Sequence, residues 1–261
     1  MASKSDRRRH ADEERAFLAA YDASEFPHPS VAVDVATMTM TDGALHALLV
    51  RRTEHPAKGR FALPGGFVGV RESLDRAAER VLRTKAGVAD IFLEQLYTFG
   101  AVDRDPRTRV ISVAYYALVE AGRLMRAKPG VGESVVARID VPWDGEKGGR
   151  VRALDEAGRA LPLAFDHAAI LGLVVQRMRG KVDHAPLGFQ LLPKHFALRQ
   201  LQAVHEAILG RRVNKDSFRR SVIARGLVVA TGKTEKDVPY RPAALYRYKA
   251  PRPRSNPRKR A

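Results

Sequence analysis

The 261-residue chain contains no cysteine. That excludes disulfides, thiolate nucleophiles and cysteine-ligated zinc or iron–sulfur sites, and leaves packing to supply stability. Uninterrupted apolar runs near the roughly 18 residues of a membrane-spanning helix are also missing. The opening residues, MASKSDRRRHADEER, lack the apolar segment of a secretory signal, so the chain reads as cytoplasmic, with no membrane partner. Most informative is the shortage of carboxylates in the last third. Residues 1–175 hold 25 Lys and Arg against 24 Asp and Glu, a net +1, whereas residues 176–261 hold 21 against 5, a net +16. Nearly all of the formal +17 therefore lies in one segment, which is the footprint expected where Lys and Arg displace counterions from a phosphate backbone. A solvated basic surface is the plainer alternative.

The eight histidines are scattered, and His184, His195 and His205 lack the paired spacing of a metal site, so no metal and no cofactor is expected. Neither a Ser-His-Asp set nor a phosphate-binding P-loop motif is present. Acidic pairs such as Asp155-Glu156 read as solvated surface.

Residues 1–27 read as a tail of basic and acidic clusters, with room for a helical turn over Ala16 to Tyr21. VAVDVATMTM (31–40) alternates at period two, Asp42-Gly43 signals a turn, and ALHALLVRR follows as the second strand of a hairpin. Ser73 caps a helix, SLDRAAERVLRTKAG, which Gly87 closes. IFLEQLYTFG (91–100), VISVAYYALVE (110–120) and ESVVARIDVPW (133–143) read as strands, GRVRALDEAGRALPLAFD as a last hairpin, and Asp166 as the cap of a long helix from His167 to about Arg179. The charge balance changes there. The expected division is a mixed α+β domain over 28–165, a second domain over 166–249 and a basic, disordered tail over 250–261.

The second domain reads helix, helix, two strands, the order of a winged helix-turn-helix. Leu198, Leu201, Val204 and Ile208 share one face of its first helix; Phe218, Val222 and Ile223 share one face of its second. The opposite face of the second carries Lys215, Arg219, Arg220 and Arg225, and the wing carries Lys233 and Lys236. One apolar and one cationic face is what entry into a major groove requires, so these six residues are the candidate contacts to double-stranded DNA, with Arg219 and Arg220 preferred.

The stretch Gly66-Phe-Val-Gly-Val-Arg-Glu72, followed by a helix ending at Gly87-Val88, resembles the Nudix box, G-x5-E-x7-R-E-U-x-E-E-x-G-U. Gly66, Glu72, Arg80, Leu82, Gly87 and Val88 fall on its positions. Its three helical carboxylate positions hold Val81, Thr84 and Lys85 instead. In the family those carboxylates lie at i, i+3 and i+4 on one helical face and gather Mg²⁺ against a pyrophosphate. Their replacement argues against hydrolysis and leaves no catalytic residue to nominate, while Lys85 can stand in for part of the metal's charge.

The resemblance continues through Asp103-Arg-Asp-Pro-Arg107 and Ser112-Val-Ala-Tyr-Tyr116, similar to the ADP-ribose-directed Nudix branch. Leu163-Ala-Phe-Asp-His167, Leu198-Arg-Gln-Leu-Gln202, Glu206-Ala-Ile-Leu-Gly210, Phe218-Arg-Arg220 and Arg241-Pro-Ala-Ala-Leu-Tyr246 resemble the Nudix-related (NrtR-like) transcriptional regulators of NAD metabolism. Over residues 28 to 248 the resemblance implies a Nudix α/β/α sandwich with a mixed sheet, then a winged helix. It further implies a homodimeric, nucleoid-associated repressor that senses ADP-ribose or a related nucleotide. A nucleotide diphosphate needs cations for its phosphates and an aromatic face for its base, which nominates Arg52, Lys58, Arg60, Phe67, Lys85, Arg104, Arg107 and Tyr115. The alternative is an active ADP-ribose or NAD-type pyrophosphatase using displaced carboxylates Glu72, Glu79 and Glu94, with the basic domain as a nucleic-acid-binding appendage. RNA binding ranks third, since no aromatic stacking platform is apparent.

Overall fold

A computed structural model describes residues 4–127 and 132–250. The elements are α1 (Lys4–Ala20), β1 (Ser30–Thr41), β2 (Ala44–Arg51), β3 (Phe61–Ala62), β4 (Gly65–Phe67), α2 (Leu74–Val81), β5 (Phe92–Phe99), β6 (Val110–Leu118), α3 (Ala121–Arg126), β7 (Ser134–Asp140), β8 (Arg152–Leu154), β9 (Ala160–Leu161), α4 (His167–Lys181), β10 (Phe196–Ala197), α5 (Leu198–Leu209), α6 (Lys215–Ala224), β11 (Val228–Thr234) and β12 (Ala244–Tyr248).

Period-two patterning in the long strands builds a sheet ordered β5-β6-β1-β2-β7-β8-β9, with β3 beside β2 and β4 beside β1. It is mixed, because β1 runs parallel to β6 and antiparallel to β2. Alternation sends Val33, Val35, Val113, Tyr115 and Ala117 to one face, under α2 and α3. Ala36, Met38, Ala114, Tyr116 and Leu118 go to the other, under α4. The result is the expected α/β/α sandwich.

Two packed cores exist, but they do not divide between the two halves of the chain. The core on the α4 face also takes in Leu201, Val204 and Ile208 of α5 and Val222 of α6. α4 is apolar nearly all round: Ile170, Leu171, Val174, Val175 and Met178 are fully buried. It lies so close to the preceding loop that a Cβ on Gly172 would sit 1.8 Å from the Gly149 carbonyl oxygen. Only glycine fits that approach.

The winged helix forms as read, with β10 as an added short strand that pairs with β12, which in turn pairs with β11. Three expectations need correction. Residues 4–20 form a helix, exposed over residues 5–20, rather than a tail with a single helical turn at Ala16 to Tyr21. Helix formers without Gly or Pro fill that stretch, and Arg9–Glu13 adds an i,i+4 pair. Ile223 does not face the core: it is 47% exposed, while Val222 is buried and Phe218 packs edge-on against His205. The helix after Ser73 stays α-helical only to Val81, and Leu82–Ala86 form a π-helical turn closed by Gly87 at φ 68°. The C-terminal basic tail falls largely outside the described residues.

Candidate functional site

A cavity of about 420 Å³ opens between β1, the β2–β4 segment, the β5–β6 loop and the start of α4. Arg51, Arg52, Lys85, Arg104 and Arg107 line it alongside Asp34, Glu54 and Asp105, a formal excess of two positive charges. Three of the five cations already have carboxylate partners. Arg51 pairs with Glu133 at 3.0 Å. Arg107 pairs with Asp105 at 2.8 Å, which raises the guanidinium's pKa and lowers the carboxyl's. Arg104, only 5% exposed in its side chain, makes two bonds to Asp166 at 2.9 and 2.7 Å and reaches Asp34 at 3.5 Å. Burial opposes its charge, but Asp166 and then Asp34 outweigh that and raise its pKa.

Among the described residues, Arg52 and Lys85 have no carboxylate within ion-pair distance. Arg52 donates to the Pro56 carbonyl at 2.8 Å and lies 4.9 Å over the Phe165 ring. Lys85 donates from Nζ to the Gly65 carbonyl. Both pKa values are lowered: Arg52's by burial and then by Arg107, Lys85's by burial, with Arg52 and Arg80 adding repulsion against the pull of Asp34. Such a pair is held at an electrostatic cost that an entering anion relieves.

The π-helical turn is what delivers Lys85, because it breaks the α-helical spacing after Val81. Val81 is fully buried under the sheet, and Thr84 turns its hydroxyl back to the Arg80 carbonyl at 2.8 Å. Glu72, which a Nudix metal site would use, is clamped by Arg80 through two 2.7 Å bonds and also accepts from the Gly69 amide. The guanidinium, then the amide, hold its carboxyl at about 2. Glu94 is committed to Lys181 at 2.6 Å, and Glu79 is exposed on α2. Among the described residues no three His, Cys, Asp or Glu side chains converge on a metal position. A hard divalent cation needs several oxygen ligands, so this donor set does not fit Mg²⁺.

Of the eight residues nominated for a nucleotide, the structure brings Arg52, Phe67, Lys85, Arg104 and Arg107 to the cavity. Phe67 is half exposed, with the Arg107 guanidinium 5.8 Å from its ring centre. Arg60 instead lines a neighbouring cavity of about 320 Å³ behind Phe165. Lys58 lines neither cavity. Tyr115 is a misplacement. Neighbouring strand positions point to opposite faces, but both faces of the sheet are covered, so Tyr115 and Tyr116 are both buried, and Tyr115 donates to Asp75 at 2.7 Å.

Sequence reasoning missed Asp34, Asp166 and His167. Asp34 accepts from Ser112 at 2.5 Å and lies so near β4 that a Cβ on Gly65 would be 2.2 Å from its Oδ1. Asp166 was read as a helix cap, yet its side chain caps nothing and serves Arg104 instead. His167 is buried, its Nδ1 accepts from the Leu63 amide at 2.9 Å, and burial lowers its pKa, leaving a neutral ring. The available signal was Asp34 itself, a carboxylate set between two valines of a strand that is buried on both faces.

On the winged helix, Lys215, Arg219, Arg220, Arg225, Lys233 and Lys236 are all exposed. Two other cations of that domain are paired, Arg199 with Glu235 at 2.6 Å and Arg212 with Glu206 at 3.2 Å. Among the described residues those six have no carboxylate within 4.0 Å.

The model of the NrtR DNA-binding winged helix domain matches residues 188–248, and that of the NUDIX domain matches residues 28–144. The ADPR responsive transcriptional repressor NtrR of Acinetobacter baylyi is 35% identical over 237 residues, covering 90% of this chain and 88% of that protein. The chain belongs to the NrtR family. The crystal structure of Shewanella oneidensis NrtR complexed with a 27mer DNA superposes with a TM-score of 0.70 at 32% identity, covering 84% of this chain and 93% of the other. The NUDIX domain of the same NrtR, complexed with ADP ribose, superposes with a TM-score of 0.50 at 30% identity over 63% of this chain and 98% of that one.

Proposed function

We propose that this member of the NrtR family is a sequence-specific DNA-binding repressor of NAD biosynthesis or salvage genes. Its Nudix-type domain holds ADP-ribose, or a closely related nucleotide diphosphate, without cleaving it. The observation that carries this reading is the placement of Lys85. A cation occupies a position where a hydrolase of this fold presents a metal-binding carboxylate, and Arg52 is the other cation lining the cavity that has no carboxylate partner among the described residues.

The two cations supply charge that a metal ion would otherwise bring to a diphosphate, with bonds stronger than those between neutral groups. Phe67 at the mouth supplies the face for a base, and Arg107 stands beside it. Hydrolysis requires in addition an activated water, and Glu72, held by Arg80, is the wrong state for a base: its carboxyl is too acidic to take a proton near neutrality. The exposed, unpaired cations of α6 and the wing hold DNA, Arg219 and Arg220 from α6 and Lys233 and Lys236 from the wing. Residues 28–165 act as the sensing unit and 166–249 as the DNA-binding unit of a homodimer.

Two titrations test the reading together. Isothermal calorimetry with ADP-ribose in the absence of metal should show saturable binding, and chromatography after prolonged incubation with Mg²⁺ should show intact ADP-ribose. Mg²⁺-dependent release of AMP would instead establish a pyrophosphatase.

A further inference from the structure

Phe165 and His167, where α4 begins, line the cavity, and Asp166 between them lies behind the wall, bonded to the lining residue Arg104. Phe165, at φ 51° in the left-handed region that non-glycine residues avoid, lies under the Arg52 guanidinium. Asp166 receives two bonds from Arg104. His167 takes the Leu63 amide proton. The beginning of α4 is thus fastened by two guanidiniums, Arg52 and Arg104, that also line the cavity.

From there α4 runs roughly 20 Å, at about 1.5 Å per residue, to Arg179. This arginine is 6% exposed and, among the described residues, has no carboxylate within 4.0 Å. Its guanidinium donates to three main-chain carbonyls: Ile208 of α5 at 2.8 Å, Trp143 at 3.1 Å and Gly145 at 2.8 Å. It also lies 4.7 Å over the ring of Trp143. Ile208 is in the last turn of α5, where carbonyls lack helical partners and a cation meets the negative end of the helix dipole. The contact is close, since a Cβ on Gly210 would lie 2.7 Å from Nη2. One side chain therefore joins α4, the loop after β7 and the first helix of the winged domain.

We propose that α4 is the element through which a nucleotide in the cavity changes DNA affinity, with Asp166 and Arg179 as the positioning residues at its two ends. A diphosphate beside Asp34 meets like charge unless Arg104 turns toward it. When Arg104 turns, Asp166 loses its partner, and Arg52 leaves Phe165 by the same competition. The start of α4 then resettles, and because α4 is packed on all sides and bonded to α5, the resettling reaches the winged helix as a shift of the whole rod. Neither residue needs to touch DNA, and Arg179 touches nothing in the cavity.

This proposal rests on ADP-ribose as the cavity's ligand, and the test separates the two claims. A duplex selected by the full chain from a random-sequence pool is titrated by fluorescence anisotropy with and without saturating ADP-ribose. The wild type, Asp166→Asn, Arg179→Lys and the double variant are compared, and ADP-ribose affinity is measured for each by calorimetry. The wild type should change its DNA affinity by at least about fivefold, as coupled sites typically do. Each single variant should bind ADP-ribose within a few-fold of wild type yet change its DNA affinity by less than twofold on saturation. The double variant should collapse the response no further than either single one, since both act through one helix. A merely structural role would lower thermal stability and leave the response ratio intact. Single variants that keep the wild-type ratio would overturn the role of α4 while leaving the ligand assignment standing. A wild type indifferent to ADP-ribose would overturn both. If Arg179→Lys fails to fold, Asp166→Asn alone decides the matter at the other end of the rod.

Discussion

Replacing Lys85 with methionine keeps the length and most of the apolar stem of the side chain while removing its charge. In the ligand-free protein that charge is poorly placed: burial is the largest influence on it, and Arg52 and Arg80 repel it. The loss of the bond to the Gly65 carbonyl offsets the relief, so folding stability should change by no more than about 1 kcal/mol. Ligand binding should respond differently. A hydrogen bond to a charged group contributes about 1.5–3 kcal/mol, so the Kd for ADP-ribose should rise roughly 10- to 150-fold. The pH dependence adds a signature. Because the lysine's pKa is lowered in the empty cavity, its protonation costs folding stability at and below that pKa, and the cost disappears as pH rises from there toward 10.5. A bound diphosphate reverses the balance, so wild-type ADP-ribose affinity should fall on the alkaline side, beginning below the ordinary lysine range, with proton uptake on binding. Calorimetry in two buffers of different ionisation enthalpy reads both quantities, and Lys58→Met serves as the control outside the cavity. A Kd for Lys85→Met within twofold of wild type would refute the argument that this lysine faces the phosphates.

Arg220→Ala should weaken binding to the selected duplex by about 1–3 kcal/mol if Arg220 reads a guanine, and leave random-sequence binding nearly unchanged; equal loss on both DNAs in the anisotropy titration would assign it to phosphate. Glu72, whose carboxyl is held at about 2 by Arg80, contributes stability that is fully present above the ordinary carboxylate value and lost as pH falls from about 4.5 toward 2. In Glu72→Gln the melting temperature should be lower at pH 7 and should decline less between pH 4.5 and 2; an unchanged acid profile by circular dichroism would rule out the clamp as its cause. Gly65→Ala forces a Cβ against Asp34 and the Val33 carbonyl, so overpacking should cost about 1–3 kcal/mol in chemical denaturation; wild-type stability would mean that β4 can shift away.

The strands, the sandwich and the winged helix were legible because each depends on local patterning: period two in β1 and β6, Ser73 and Gly87 at helix boundaries, and cations segregated on α6. What sequence could not reach was set by tertiary contacts. Tyr115 and Tyr116 look like an inside and an outside pair until α2 and α4 are known to cover both faces of their sheet. Ile223 looks like core from its spacing, but α6 is only shallowly packed and presents it beside the arginines. Asp166 has the right residue type for a helix cap and loses that role to Arg104, more than 60 positions earlier in the chain. Lys85 was identified from its position in the glycine-rich motif, whereas its partner Gly65 and the π-helical turn that brings them together were not. The helix over residues 4–20 follows from local propensity alone, with no packing behind it over residues 5–20.

The account stands most directly on whether occupancy of the Arg52–Lys85 cavity is felt by DNA. Fluorescence anisotropy on the selected duplex and on random duplex at about 0.15 M salt, each repeated with ADP-ribose, measures this in one set of curves. The account predicts tighter binding to the selected duplex and an affinity for it that changes on adding ADP-ribose, a change abolished in Lys85→Met at the same nucleotide concentration. Equal binding to both duplexes, unaltered by ADP-ribose, would contradict it and leave a nonspecific basic nucleic-acid binder.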